Sequence, residues 1–152
     1  MIRRVRLEDI DRVMEIERAC FPVAWEYSIF LNICLQGGEM PSGKTGFLFM
    51  DVIEKNKVVI GYAVWETNPK KSRGHILNLA IHTDERRRGY GKMLLAHILD
   101  HLEAIGITSC ILEVRVSNAP ARALYESNGF VVSSRIPGYY FDEDALVYSL
   151  QL

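Results

Sequence analysis

The sequence has few cysteines, and their spacing does not suggest pairing. Its 152 residues include three, Cys20, Cys34 and Cys110, each standing alone in an apolar stretch without a C-x-x-C motif. An odd number in such settings is typical of buried thiols in a reducing compartment. A chain of this length can also bury a core without disulfide staples. We therefore expect the three thiols to be core residues that take no part in chemistry.

The sequence also lacks a surplus of charge and a long apolar run. Its formal net charge is −1, which excludes a global attraction to nucleic acid or to an anionic membrane. The chain opens Met1-Ile2-Arg3-Arg4 and turns polar at once, and no apolar run is long enough to span a bilayer. With 49% apolar and 24% charged residues, the composition predicts one globular domain, residues 1–152, located in the cytoplasm.

A short basic segment stands out against this neutral background. Arg86-Arg87-Arg88-Gly89-Tyr90-Gly91-Lys92 lies between an apolar run, His75 to Ile81, and an apolar-periodic segment, Met93 to Ile105. Glycines let a ligand approach the backbone, and the unpaired N–H groups and positive dipole end of a helix N-terminus favour phosphate. The alternative is an ordinary strand-to-helix turn with a solvated basic rim. This segment alone does not decide between them.

Apolar periodicity and turn residues predict the order of strands and helices. The predicted strands are Ile2 to Arg6, Phe47 to Glu54, Val58 to Glu66, His75 to Ile81, Ser109 to Val116, Phe130 to Ile136 and Ala145 to Leu150. The predicted helices are Asp9 to Cys20, Trp25 to Leu35, Met93 to Ile105 and Ala119 to Asn128, and Gln36 to Gly46 is predicted to be a loop. Hairpins early and late, with crossover helices between them, predict a single α/β (α+β) domain with a mixed seven-stranded sheet and helices on both faces.

The segment from Gly38 to Thr45 matches the phosphate-binding pattern G-x-x-x-x-G-K-[ST] letter by letter. That motif requires a strand before the loop and a helix after it, so that the helix N-terminus meets the phosphates. Here a helix pattern precedes the segment and a strand pattern follows it. We therefore expect a flexible glycine-rich loop at the sheet edge and not an ATP or GTP site.

Two further stretches, Leu112 to Asn118 (L-E-V-R-V-S-N) and Ala123 to Phe130 (A-L-Y-E-S-N-G-F), follow the basic turn in order. Together the three segments resemble the GNAT superfamily of acetyl-CoA-dependent N-acetyltransferases. The resemblance is strongest to protein N-terminal acetyltransferases of the bacterial RimI type and their archaeal relatives. It is strong from His75 to Ala145, whereas the opening strand and helices agree in order only.

The resemblance implies a binding site for acetyl-CoA. The residues that it assigns to this cofactor are Leu79, Ala80, Ile81, Arg86, Arg87, Arg88, Gly89, Tyr90, Gly91, Lys92 and Asn118. The strand Leu79 to Ile81 is expected to pair with the pantetheine arm, and the turn is expected to hold the pyrophosphate through its N–H groups. Thr83 departs from the family, since many relatives carry proline there.

Acetyl transfer from a thioester to an amine needs a neutral amine, a donor for the developing oxyanion and a proton for the departing thiolate. Glu113 alternates with Leu112 and Val114, so its side chain is expected to point off the apolar face and to act as the base. The resemblance places Tyr125 beside the sulfur as the acid. The alternatives are a surface ion pair for Glu113, with Arg115 or Arg73, and packing for Tyr125.

Reference pKa values favour a protein N-terminus as the acetyl acceptor. Neutralising an α-amine at pH 7 costs about 1 kcal/mol, and neutralising a lysine costs roughly 4 to 5 kcal/mol. Ribosomal proteins are candidate substrates by the resemblance. A lysine or small-amine acetyltransferase, or a non-catalytic acyl-CoA-binding module, remain the alternative functions, and the oligomeric state is open.

Other aromatic and histidine residues are candidates for roles around the substrate. The peptide groove is expected to contain Trp25, Tyr27, Tyr139 and Tyr140, with packing at the core or rim as the alternative. His75 can approach Glu113 as an auxiliary base, a water holder or half of a metal site, but the favoured interpretation is a strand-end histidine satisfied by the backbone. His97 and His101 share one helix face without a third ligand, so we interpret them as a solvated face and predict no metal centre.

Overall fold

The computed structural model describes all 152 residues. The eight strands are β1 (Ile2–Arg4), β2 (Glu39–Ser42), β3 (Gly46–Lys55), β4 (Val58–Asn68), β5 (Arg73–Ile81), β6 (Ser109–Arg115), β7 (Val131–Ile136) and β8 (Ala145–Gln151). The four helices are α1 (Ile10–Cys20), α2 (Tyr27–Leu35), α3 (Tyr90–Ala104) and α4 (Ala119–Ser127). No helix is long and apolar enough to cross a membrane.

All strands belong to one mixed sheet, with the order β1-β3-β4-β5-β6-β8-β7 and with β2 paired to β3. The prediction of seven strands is therefore wrong by one. Glu39–Ser42, predicted as loop, pairs antiparallel with the start of β3. Pro41 is compatible with this position because β2 lies at an edge, where one side of the strand needs no ladder hydrogen bonds. The segment Glu39–Ser42 contains proline and serine, which are typical of turns, so its sequence does not predict a strand.

The sheet separates two hydrophobic cores, as expected for helices on both faces. On one face, the buried residues of α3 (Leu94, Leu95, Ile98 and Leu102) pack with Trp65 and Tyr148. On the other face, the apolar residues of α1 and α2 pack against Met50, Tyr62 and Val64. The helix starts lie within three residues of prediction: α4 begins at Ala119 as predicted, and α3 begins at Tyr90, three residues early. Helix α2 begins at Tyr27, because Trp25 belongs to the connecting loop.

The phosphate-motif look-alike is a β-hairpin, because β2 leads through a turn at residues 43–45 directly into β3. No helix follows Thr45, so the segment lacks the helix N-terminus that binds phosphate in that motif. Gly46 is needed for close packing, since a Cβ at this position would lie 1.9 Å from the carbonyl oxygen of Thr67. The hairpin is thereby pressed against the end of β4.

His97 and His101 do not form a solvated face, so that interpretation is wrong. His97 Nε2 lies 2.6 Å from Asp51 Oδ2, and the indole N–H of Trp65 donates to His101 Nδ1 at 3.2 Å. Both imidazole rings pack edge-on against Trp65. The strand residue Asp51 is buried, and its carboxylate contacts both His97 on α3 and Arg4 on β1.

Replacing Gly46 by alanine is expected to destabilise the fold by about 1 to 3 kcal/mol, because the new Cβ overlaps backbone that cannot rotate away. Urea unfolding of the ligand-free protein measures this change. Gly91→Ala is the matched control, since its Cβ would meet no atom closer than 3.4 Å and alanine is favoured in helices. Equal stability of both variants would contradict the proposed packing of the hairpin.

Candidate active site

The central cleft opens where strands β5 and β6 separate. Their parallel pairing covers four residue pairs, from Arg73 with Ser109 to Ile76 with Leu112, and then ends. Beyond this point β5 continues to pair only with β4. A register shift opposite Val64 and Trp65 leaves Leu77 as an extra residue on β5, a bulge that bends the strand. The result is a cavity of about 510 Å³ between the two strands.

Glu113 lies in this cleft, as predicted, and His75 reaches it from the neighbouring strand. His75 Nε2 lies 2.9 Å from both carboxylate oxygens of Glu113, and the Tyr139 hydroxyl donates to Oε1 at 3.1 Å. Burial alone would raise the pKa of Glu113, but the His75 and Tyr139 hydrogen bonds and the charge of Arg73 together hold it below its ordinary value of 4.5. The carboxylate is therefore ionised at neutral pH.

The alternative of a surface ion pair between Glu113 and Arg115 does not describe the structure. Arg115 Nη1 instead contacts Asp142 and Glu143, at 2.8 and 3.1 Å, and its guanidinium stacks over the ring of Tyr140 at 4.4 Å.

No group of three or more histidine, cysteine, aspartate or glutamate side chains is arranged to hold a metal ion.

Tyr125 is buried, with 6% of its surface exposed, and it lines both the central cleft and a second cavity next to it. Burial, with smaller contributions from Cys110 and Tyr140, raises its pKa far above the ordinary value. The hydroxyl therefore stays protonated at neutral pH. A protonated phenol at the junction of two cavities is placed to donate a proton to a group that passes between them.

The second cavity, of about 610 Å³, lies between the far end of β5 and the start of α3. Of the residues assigned to the cofactor, its lining includes Leu79, Ala80, Ile81, Arg86, Arg87, Gly89, Tyr90, Gly91, Lys92 and Asn118. Gly89 precedes the helix with φ 85°, a left-handed conformation that glycine adopts without a steric penalty. The first N–H groups of α3 and three cationic side chains thus face one space, which suits a pyrophosphate.

Two residues assigned to the cofactor, Arg88 and Asn118, are already engaged in contacts within the protein. Arg88 does not line the second cavity, and its Nη1 lies 3.3 Å from Glu85 Oε2. Asn118 caps α4 by accepting a hydrogen bond from the N–H of Ala121 at 3.2 Å. The side-chain amide N–H groups of Asn118 have no protein acceptor, so they are available to a ligand.

The residues expected around the substrate are only partly brought together. Trp25, Tyr139 and Tyr140 line the central cleft, and Tyr27 lines neither cavity. The structure therefore provides no support for a substrate contact by Tyr27. Phe21, Pro22, Val23 and Phe141 also line the cleft.

Glu17 also lines the central cleft, and the sequence analysis assigned it no role. It is only 1% exposed, and its carboxylate accepts hydrogen bonds from the Tyr62 hydroxyl, from the Asn78 amide at 2.8 Å and from the backbone N–H of Trp25 at 2.8 Å. These contacts tie the loop between α1 and α2 to β4 and β5. The available signal was a glutamate four residues after Val13, on the apolar face of a predicted helix.

Comparison with known proteins identifies the family of this chain. The sequence profile of the acetyltransferase (GNAT) family matches residues 10–130. The chain belongs to this family. GNAT acetyltransferases use acetyl-CoA, and the second cavity, with its open sheet edge and cationic helix start, fits such a molecule.

The GNAT relatives of this chain include N-terminal acetyltransferases. The ribosomal protein bS18-alanine N-acetyltransferase of Salmonella typhimurium is 44% identical over 81 residues, which span 51% of this chain and 55% of the relative. The N-alpha-acetyltransferase of Saccharolobus solfataricus is 31% identical over 99% of this chain and 92% of its own length. The crystal structure of the Escherichia coli ribosomal-protein-S18-alanine N-acetyltransferase has a TM-score of 0.81 and 28% identity over 99% of this chain and 92% of the other.

Arg87→Ala is expected to weaken CoA binding about tenfold, because the side chain lines the cavity and is placed to form a charge-assisted hydrogen bond to phosphate. Isothermal titration calorimetry with CoA measures the change. The adjacent Arg88→Ala is the matched control, with a loss below about twofold, because Arg88 is engaged with Glu85. Equal losses in the two variants would show that the turn binds by overall charge and not by the observed geometry.

Proposed function

We propose that this GNAT protein acetylates the α-amine of protein or peptide N-termini, using acetyl-CoA. The proposal rests on two groups that line one cleft, of which one is ionised and the other is protonated. Glu113 is held ionised in the central cleft, and Tyr125 is held protonated where that cleft meets the cofactor cavity. Environments that separate the pKa values of two groups in this way are typical of an acid and base pair.

In this mechanism the amine attacks the thioester carbonyl directly, so that a C–N bond forms and the C–S bond breaks. Glu113 accepts the proton of the amine, directly or through water, and His75 orients the carboxylate. Tyr125 donates its proton to the departing thiolate. A backbone N–H near the β5 bulge, from Leu77 to Ile81, stabilises the developing negative charge on the carbonyl oxygen. The three cysteines are not needed.

The electrostatics of the site favour an α-amine over a lysine. A carboxylate whose pKa is lowered is a weak base, and it suits an acceptor that costs about 1 kcal/mol to neutralise better than one that costs roughly 4 to 5 kcal/mol. The named relatives act on bS18 alanine and on α-amines, which supports the same class of acceptor. Ribosomal protein N-termini are therefore included among the proposed substrates.

The test is CoA release from acetyl-CoA in the presence of short peptides beginning with Ser, Ala, Met or Glu, beside an N-blocked peptide that offers only lysine. Free N-termini are expected to react and the blocked peptide is not. Acetylation of the lysine peptide alone would contradict the proposal in favour of a lysine acetyltransferase. CoA binding without turnover of any amine would indicate a binding module.

Tyr125→Phe is expected to lower kcat/KM about 10²-fold or more, because the departing thiolate loses its proton donor. Steady-state kinetics with the best peptide measure the effect. Tyr148→Phe is the matched control, since its ring lies 6.3 Å from that of Tyr125 but lines neither cavity. Similar rate losses in both variants would mean that the rings matter through packing and that Tyr125 is not the acid.

The pH dependence of kcat/KM is expected to follow the substrate amine. Because the pKa of Glu113 lies below 4.5 and that of Tyr125 is raised, neither group titrates between pH 6 and pH 9. The value of kcat/KM should therefore rise about tenfold per pH unit and level off near the amine pKa of about 7.8. A plateau that moves when Glu113 is changed to Gln, and not when the peptide amine is changed, would contradict this assignment.

A further inference from the structure

A polar pocket of about 350 Å³ adjoins the active site on the side of His75. We call it the side pocket, and its lining consists of Ser42–Gly46, Glu66–Asn68, Lys70, Arg73 and His75. None of these residues is hydrophobic. His75 lines both the side pocket and the central cleft and contacts Glu113 at 2.9 Å. The side pocket and the central cleft therefore adjoin at His75, next to the carboxylate of Glu113.

The side pocket carries unpaired positive charge. Lys44, Lys70 and Arg73 line it, and none of them lies within 4.0 Å of a carboxylate. The single acid, Glu66, is held by the Ser42 hydroxyl at 2.8 Å and lies 3.7 Å from His75 Nδ1. Three cations against one carboxylate leave a local surplus of two positive charges when His75 is neutral.

The acids on the opposite side of the cleft do not offset this surplus. Asp142 and Glu143 are bound by Arg115, and Asp144 is bound by Arg135 at 2.7 Å. Each of these carboxylates already has a cationic partner. Glu17 also lines the cleft, but it is buried and its carboxylate accepts hydrogen bonds from neutral donors. The exposed charge without a partner beside Glu113 is thus positive and lies in the side pocket.

The walls of the side pocket are held in place before any ligand binds. The backbone N–H of Phe47 donates to Thr67 Oγ1 at 3.1 Å, and Gly46 lets the hairpin contact the end of β4. Asn68 Oδ1 caps the following turn by accepting from the N–H of Lys71 at 3.3 Å. Such preorganisation reduces the entropy lost when a ligand binds.

We propose that the side pocket binds an acidic side chain of the substrate, at the second to fourth residue after the acetylated N-terminus. This inference rests on the proposed acetylation of N-termini. An extended peptide advances about 3.3 to 3.6 Å per residue, so these positions follow an α-amine at Glu113 into a pocket that begins at His75. Lys44 and Lys70 supply the attraction at the rim, and Arg73 supplies it deeper in the pocket.

The test compares three peptides that all begin with Ala. Positions two to four are all Glu in the first peptide, all Gln in the second and all Arg in the third. For the wild type, kcat/KM is expected to be about fivefold to tenfold higher for the Glu peptide than for the Gln peptide, and lowest for the Arg peptide. Added NaCl should reduce the preference, since the rim lysines are exposed.

The double variant Lys44→Glu with Lys70→Glu is expected to reverse the order of the Glu and Arg peptides. Lys57→Glu is the matched control, because this lysine lies in the hairpin turn at the opposite end of β3, and it should leave the wild-type order unchanged. Equal rates for the three peptides, or an order that the double variant does not alter, would overturn the side-pocket proposal while leaving N-terminal acetylation intact. Failure of all three peptides, together with failure of the panel beginning with Ser, Ala, Met or Glu, would overturn both.

Discussion

Strands β5 and β6 separate after only four residue pairs, and this separation positions both cavities and the groups around them. Parallel pairing that stops at Ile76 and Leu112 opens the sheet while β4 and β8 keep each strand in place on its other side. The cost is a strand edge without a partner, which a folded protein normally covers. Here that edge lines both cavities, where its unpaired backbone groups are open to an extended ligand.

The same opening separates the protonation states of the two groups proposed for catalysis. Glu113 faces the cleft, where a histidine, a tyrosine hydroxyl and an arginine stabilise its charge against the effect of burial. Tyr125 lies where the cleft meets the second cavity, and burial raises its pKa there without a compensating donor. Burial alone would disfavour ionisation of both groups. The hydrogen-bond partners, supplied by different strands and loops, make the difference.

Much of the fold followed from local patterns. Strands and helices with clear periodicity, such as the segment before the basic turn and the helix after it, lie within a few residues of their predicted positions. Glu39–Ser42 could not be predicted because its strand conformation comes entirely from pairing with β3. His97 and His101 were misinterpreted because their partners, Asp51 and Trp65, are distant in sequence. A polar residue on a helix face reveals its partner only when the facing sheet is known.

The family, the cofactor class and the motif residues could be recognised from the amino-acid sequence, because the basic turn and the two segments after it occur in a specific order. Which of those residues share a space is set by the tertiary structure. It joined His75 to Glu113, placed Tyr125 at the junction of two cavities, left Tyr27 and Arg88 outside both, and brought Lys44 and Arg73 into one pocket. The physical reason is that pairing between distant strands sets these distances, and no local pattern encodes them.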